Sequence, residues 1–106
     1  MTQQDIDDFI EEAARQGVEI EIDIDPDDAV VWVSWIRRTS RKRGVGAGVL
    51  GELGEMAADH GYVVRAAVDA QAERLVDWYS EIGFHEIAWS DDAHRREGRI
   101  VLEQEA

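Results

Sequence analysis

Arginine, glycine and the start of a helix make an anion site when they fall close together, and residues 41–46 read Arg-Lys-Arg-Gly-Val-Gly. Arg41, Gly44 and Gly46 there have the spacing R-x-x-G-x-G. Glycines keep side chains clear, so successive backbone N–H groups can converge on a phosphate. A helix beginning near Val45 adds the partial positive charge of its N-terminus, and Arg41 and Arg43 can add charge-assisted hydrogen bonds. Five of the eleven basic residues, Arg37, Arg38, Arg41, Lys42 and Arg43, lie in this stretch of a 106-residue chain whose net charge is -13. A positive island in a negative protein favours a small anion over a long polyanion, which would have to cross repulsive surface on either side. On this feature alone, a solvated basic loop reads the same way.

Two other phosphate loops fit less well. A P-loop ends in Gly-Lys-Ser/Thr, which this segment lacks. Gly46, Gly48 and Gly51 match G-x-G-x-x-G, but in a dinucleotide fold the first glycine follows the strand at once and an acid lies further on. Here residues 37–45 intervene, and Tyr62 to Ala67 holds no acid. Gly51 and Gly54 fit better with Ala47 and Ala58 as a small-residue stripe that lets a helix approach a neighbour; each interior glycine costs about 1 kcal/mol relative to alanine.

The elements that must position this loop follow from periodicity. Ile6, Phe9, Ile10 and Ala13 predict a helix over residues 4–16, stopped at Gly17. Val18, Ile20, Ile22 and Ile24 alternate with Glu19, Glu21 and Asp23, the pattern of a strand with one wet face, and Asp25-Pro26-Asp27-Asp28 makes a turn. Ala29 to Ile36, AVVWVSWI, predicts a central strand covered on both faces. Val49, Leu50, Leu53, Met56 and Ala57 mark a helix over residues 45–60, ahead of a strand from Tyr62 to Ala67. Ala72, Leu75, Val76 and Tyr79 form the next helical stripe, Gly83 ends it, and Phe84 to Trp89 reads as a strand. A polar loop from Ser90 to Gly98 precedes a last strand from Arg99 to Glu103. The order α-β-β-α-β-α-β-β, over residues 1–106 as one domain, predicts a mixed α/β layer structure.

In this order the chain resembles the GCN5-related N-acetyltransferases. Residues 41–46 followed by Ala47-Gly48-Val49-Leu50 look like that family's acetyl-coenzyme A pyrophosphate motif, and residues 75–84, LVDWYSEIGF, look like its later helix-to-strand signature. The resemblance covers about residues 29–89. It implies acetyl-CoA as co-substrate, with the pyrophosphate held by Arg41, Lys42, Arg43, Gly44, Val45, Gly46 and Ala47. Trp35, Ile36 and Arg37 are implied to line the pantetheine arm in a gap where the strand before the loop splays from its neighbour. Tyr79 matches the tyrosine that protonates the departing thiolate, and a phenol near pKa 10 holds its proton at neutral pH; a core aromatic on the same stripe is the competing reading. The reaction implied is direct transfer of acetyl to a primary amine.

Two features depart from the family. Ala72 stands where members commonly carry an asparagine that touches the cofactor. Only 28 residues precede the central strand, where members usually fit two helices and three strands, which implies an acceptor site that is shortened, open or completed by another chain. A homodimer could complete it, with Trp32, Trp35, Trp78 and Trp89 as sources of interface area. No residue presents itself as the general base: the central strand offers only Ser34, with Glu21, Asp23 and His85 as outlying candidates.

Composition narrows the remaining classes. The absence of cysteine excludes disulfides, thiolate metal sites and a cysteinyl acyl-enzyme, and no metal is expected. Net acidity opposes binding to nucleic acid or an anionic membrane. No apolar run reaches the roughly 20 residues of a spanning helix, and the acidic N-terminus is unlike a signal peptide, so a cytoplasmic location is expected. An acidic surface would attract a small amine or a basic peptide as acceptor. The alternative to an enzyme is an inactive binding module of the same fold that works through a protein partner, as an acidic decoy in one version.

Overall fold

The computed structural model describes residues 1–87 and 98–104. Helix α1 (Gln3–Arg15) opens with a capping box, in which the Thr2 side chain and the Asp5 carboxylate each accept the other's backbone N–H. Strands β1 (Val18–Asp25) and β2 (Val30–Arg38) follow, then α2 (Val45–Asp59), β3 (Val63–Asp69), α3 (Glu73–Glu81), β4 (Phe84–Ile87) and β5 (Arg99–Gln104). This is the predicted order. Strand β2 runs two residues further than expected, and β3 begins one residue later and ends two later. Trp89 and residues 90–97 of the expected loop lie outside the described residues.

The five strands form one sheet in the order β1-β2-β3-β5-β4. Strands β2 and β3 are parallel, joined by α2 as the crossover, and the remaining neighbours are antiparallel. Alternation along the strands puts Val31 and Val33 of β2, Val64, Ala66 and Val68 of β3, and Leu102 of β5 on one face. The core cluster joins them to Ile6 and Ala13 of α1, to Val49, Leu50, Leu53 and Ala57 of α2, and to Tyr79 of α3. Each fully buried Leu or Ile among these is worth about 1.5–3 kcal/mol.

All three helices therefore pack on the same side of the sheet. The other face carries Glu19, Glu21 and Asp23 of β1, with Trp32, Trp35 and Arg37 of β2 beside them in the register. The expectation of a central strand covered on both faces is corrected here: Trp35 is 46% exposed, and among the described residues no helix covers that face.

The reason lies in how far β2 is paired. Its ladder to β3 runs only from Val30↔Val63 to Val33↔Ala66. Its ladder to β1 continues to Arg38, with an irregularity that leaves Ser34 as an extra residue between Glu21↔Trp35 and Ile22↔Val33. Such a bulge bends and twists the strand that carries it. At the same level β3 turns to β5, pairing onward through Asp69↔Arg99. The sheet forks between β2 and β3 just beyond Val33 and Ala66.

Candidate functional site

The basic loop is anchored from behind. Backbone N–H groups of Thr39 and Ser40 donate to the Gly17 carbonyl at 2.8 and 3.1 Å, and the Ser40 hydroxyl accepts from the Lys42 backbone at 3.1 Å. Gly17 has φ +89°, and a Cβ there would overlap Ser40. The glycine that stops α1 is thus also the seat of the loop. Helix α2 then starts from Gly44 in the left-handed region, with no side-chain cap and no acid in its first turn. The first amides of a helix have no partner within it, which leaves the N–H groups of residues 45–47 at the start of α2, next in sequence to Lys42 and Arg43.

Three cavities run in series from this point. The first, about 320 Å³, is lined by Gln16, Lys42, Arg43, Gly44, Val45 and Gly48. The second, about 270 Å³, shares Gly44 and adds Ile36, Arg38, Gly46, Ala47, Leu75 and Trp78. The third, about 610 Å³, shares Ile36 and Leu75 with the second and lies in the fork, against Ser34, Trp35, Ala67, Val68, Asp69, Tyr79 and Arg99. Gly46 fits closely: a Cβ there would lie 3.3 Å from the Trp78 ring, so this position sets how near α3 comes to α2.

The sequence-predicted residues fall along this path unequally. Lys42, Arg43, Gly44, Val45, Gly46 and Ala47 line the first two cavities, and Trp35, Ile36 and Tyr79 reach the fork. Arg41 is exposed and lines none of the three cavities. Arg37 turns its side chain to Glu19 in a cross-strand ion pair on the helix-free face, so what it offers the cleft is backbone. Arg38, Leu75, Trp78 and Asp69 line the path although motif spacing does not single them out. Leu75 and Trp78 lie three apart on one helix face within the 75–84 segment, which is the signal the sequence offered, and Leu75 is 40% exposed.

Tyr79 serves both readings of it. Its ring packs edge-on against Trp78 and Phe84, with centroids 5.1 and 4.9 Å away, and it is only 2% exposed. Yet the residue also lines the fork cavity, and among the described residues no hydrogen bond engages its hydroxyl. Burial pushes its pKa up to about 12, which keeps the proton on the oxygen. Among the candidate bases, Asp23 accepts from the Ser34 hydroxyl at 3.2 Å and Glu21 from the Trp35 indole at 2.5 Å, while His85 sits on β4, two strands from the fork. Among the described residues no group of acids and histidines could hold a metal ion, and no helix is long and apolar enough to cross a membrane.

No family model matches this sequence, and no curated protein matches it closely in sequence. Solved structures do match in shape. Nourseothricin acetyltransferase aligns with a TM-score of 0.59 at 17% identity over 80% of this chain and 55% of that one. A streptothricin acetyltransferase from Bacillus anthracis, solved with acetyl coenzyme A, gives 0.66 at 12% identity over 82% and 54%. A Bacillus subtilis acetyltransferase in complex with CoA gives 0.57 at 15% identity over 99% and 84%. The chain spans about half the length of the first two.

Proposed function

We propose that this chain, which has the fold of the GCN5-related N-acetyltransferases, transfers acetyl from acetyl-CoA to a primary amine. The observation that carries the reading is the run of three cavities from a basic helix start to a fork in the sheet lined by the buried Tyr79. A long ligand, anionic at one end and carrying amides in the middle, matches that run. Lys42, Arg43 and the amides of residues 45–47 would hold a pyrophosphate by charge and by the helix dipole, with Arg41 adding charge from outside. Beyond Val33 the β3-facing edge of β2 has no ladder partner among the described residues, so its backbone at Trp35, Ile36 and Arg37 can pair with amide groups of the arm as an added strand would. Leu75, Trp78 and Ile36 would cover the apolar stretches.

Acetyl-CoA, when bound, supplies an activated thioester. Tyr79 would act at the sulfur: as the amine nitrogen bonds the acetyl carbon and the C–S bond breaks, its hydroxyl would give a proton to the departing thiolate, and the proton lost by the nitrogen would return to the tyrosine oxygen through solvent in the fork. Ser34 and the bulged backbone beside it stand at the mouth of the fork, where the amine must arrive.

Two measurements test the reading together. Calorimetric titration of acetyl-CoA should show micromolar binding that weakens at least about tenfold when Lys42 and Arg43 are both changed to Ala, and less in Arg41→Ala, since each charge-assisted contact is worth about 1.5–3 kcal/mol. Release of free CoA thiol should then follow addition of an amine panel. A well-folded protein that fails to bind acetyl-CoA would falsify the proposal.

A further inference from the structure

The fork cuts through the sheet, so its two mouths have different linings. Ile36 shares a register position with the buried Ile20, and Val68 and Tyr79 belong to the core cluster; with Leu75 they form the helix-side mouth. The cavities that lead in from the basic loop arrive on this side, past Leu75 and Trp78. Trp35, Ala67, Asp69 and Arg99 form the opposite mouth, because Trp35 pairs with Glu21, and Ala67 and Asp69 alternate with Val68 along β3. A second reactant that meets the first inside the fork must come from there.

We infer that Asp69 and Trp35 determine the acceptor, and that it is an amine bearing a second positive charge; this rests on the acetyl-transfer reading. Among the described residues, Asp69 is the one carboxylate lining the fork cavity. One of its oxygens accepts from the Gln71 backbone at 2.8 Å, which orients the side chain, and among the described residues no side chain bonds the other. Across the cavity the Trp35 indole N–H is held by Glu21 at 2.5 Å, so a ring 46% exposed is nevertheless fixed in place. A fixed aromatic ring with a carboxylate opposite suits an alkylammonium, by contact with its methylenes and by cation–π attraction. Tyr79, buried and without a described partner for its hydroxyl, marks the depth at which the reacting end stops. Arg99 also lines this mouth and stands opposite Asp69 in the register, which sets a competing prediction: were Arg99 the reader, an amine carrying a carboxylate would be preferred.

The experiment compares 1,4-diaminobutane, butylamine and 4-aminobutanoate as acceptors under saturating acetyl-CoA, for the wild type, Asp69→Asn and Asp69→Glu, with acetyl-CoA affinity measured on each protein. Expected is a preference in kcat/KM for the diamine over butylamine of about tenfold, the size of one charge-assisted contact. In Asp69→Asn that preference should collapse through KM, and Asp69→Glu should recover part of it, with acetyl-CoA affinity alike in all three. Equal use of the diamine and butylamine, preference for the amino acid, or loss in kcat alone overturns the inference. So does acetyl-CoA binding without turnover of any amine, which would leave the cofactor reading standing; absence of acetyl-CoA binding removes both.

Discussion

Two residues hold opposing demands. Tyr79 is a core aromatic by burial and a candidate acid by position, and its removal separates the roles. Tyr79→Phe keeps the ring between Trp78 and Phe84 and removes only a hydroxyl that no described residue satisfies, so the melting temperature should hold or rise slightly. Turnover should nevertheless fall about 100-fold or more, the usual contribution of a positioned proton donor, with acetyl-CoA affinity within about twofold. The same hydroxyl gives a pH signature. Its folded pKa of about 12 lies above the ordinary 10.0, so its contribution to stability is complete below pH 10 and is lost as pH rises from there through about 12. The stability of the wild type should therefore fall below that of Tyr79→Phe over that window, and alkaline unfolding curves of the two should diverge. Gly17 carries the second demand: its φ of +89° and its closeness to Ser40 mean that Gly17→Ala should cost about 1–2 kcal/mol in backbone strain alone. Because Ser40 would have to move, acetyl-CoA affinity should drop in a variant that touches no ligand. Asp69 was not legible as a site residue in the sequence, where it is only the last residue of a strand and nothing in a one-dimensional pattern shows which cavity it borders.

The elements themselves were legible, because each buries one face against a common core. The stripe Ile6 to Ala13, the alternation Val18 to Ile24 and the stripe Val49 to Ala57 each carry a period that only one secondary structure satisfies. The fork was not readable from the residues themselves. AVVWVSWI is apolar nearly throughout, and a run without alternation contains no mark of where its pairing to a neighbour ends or where a bulge inserts Ser34; the gap was expected only through the family resemblance. The small-residue stripe of α2 was legible in type but not in cause. At Gly54 a Cβ would overlap the amide of Gln104, whose Nε2 donates to the Leu50 carbonyl at 2.9 Å and ties α2 to β5. At Gly51 a Cβ would meet nothing within 4 Å. Gly51→Ala should therefore raise stability by about 0.5–1 kcal/mol through helix propensity alone, whereas Gly54→Ala should gain less or lose stability, as thermal unfolding of the two variants will show.

Over the whole molecule, charge is unevenly distributed. The chain carries -13 overall, with its basic residues gathered around the loop that starts α2 and an acidic row on β1 beside the helix-free mouth of the fork. An anionic co-substrate and a cationic acceptor would thus approach different faces of one sheet, each toward opposite charge. Raising ionic strength should lower kcat/KM for a cationic acceptor, since steering over more than about 8–10 Å is screened at physiological salt, and should change it little for a neutral-tailed amine at low amine protonation. The most direct measurement is an amide NMR titration of the full chain with acetyl-CoA. Shifts confined to residues 35–38, 42–48, 67–69 and 75–79 would show the ligand running from the helix start into the fork; shifts elsewhere with these amides still, or no shifts at millimolar acetyl-CoA, would contradict the assignment of this cleft.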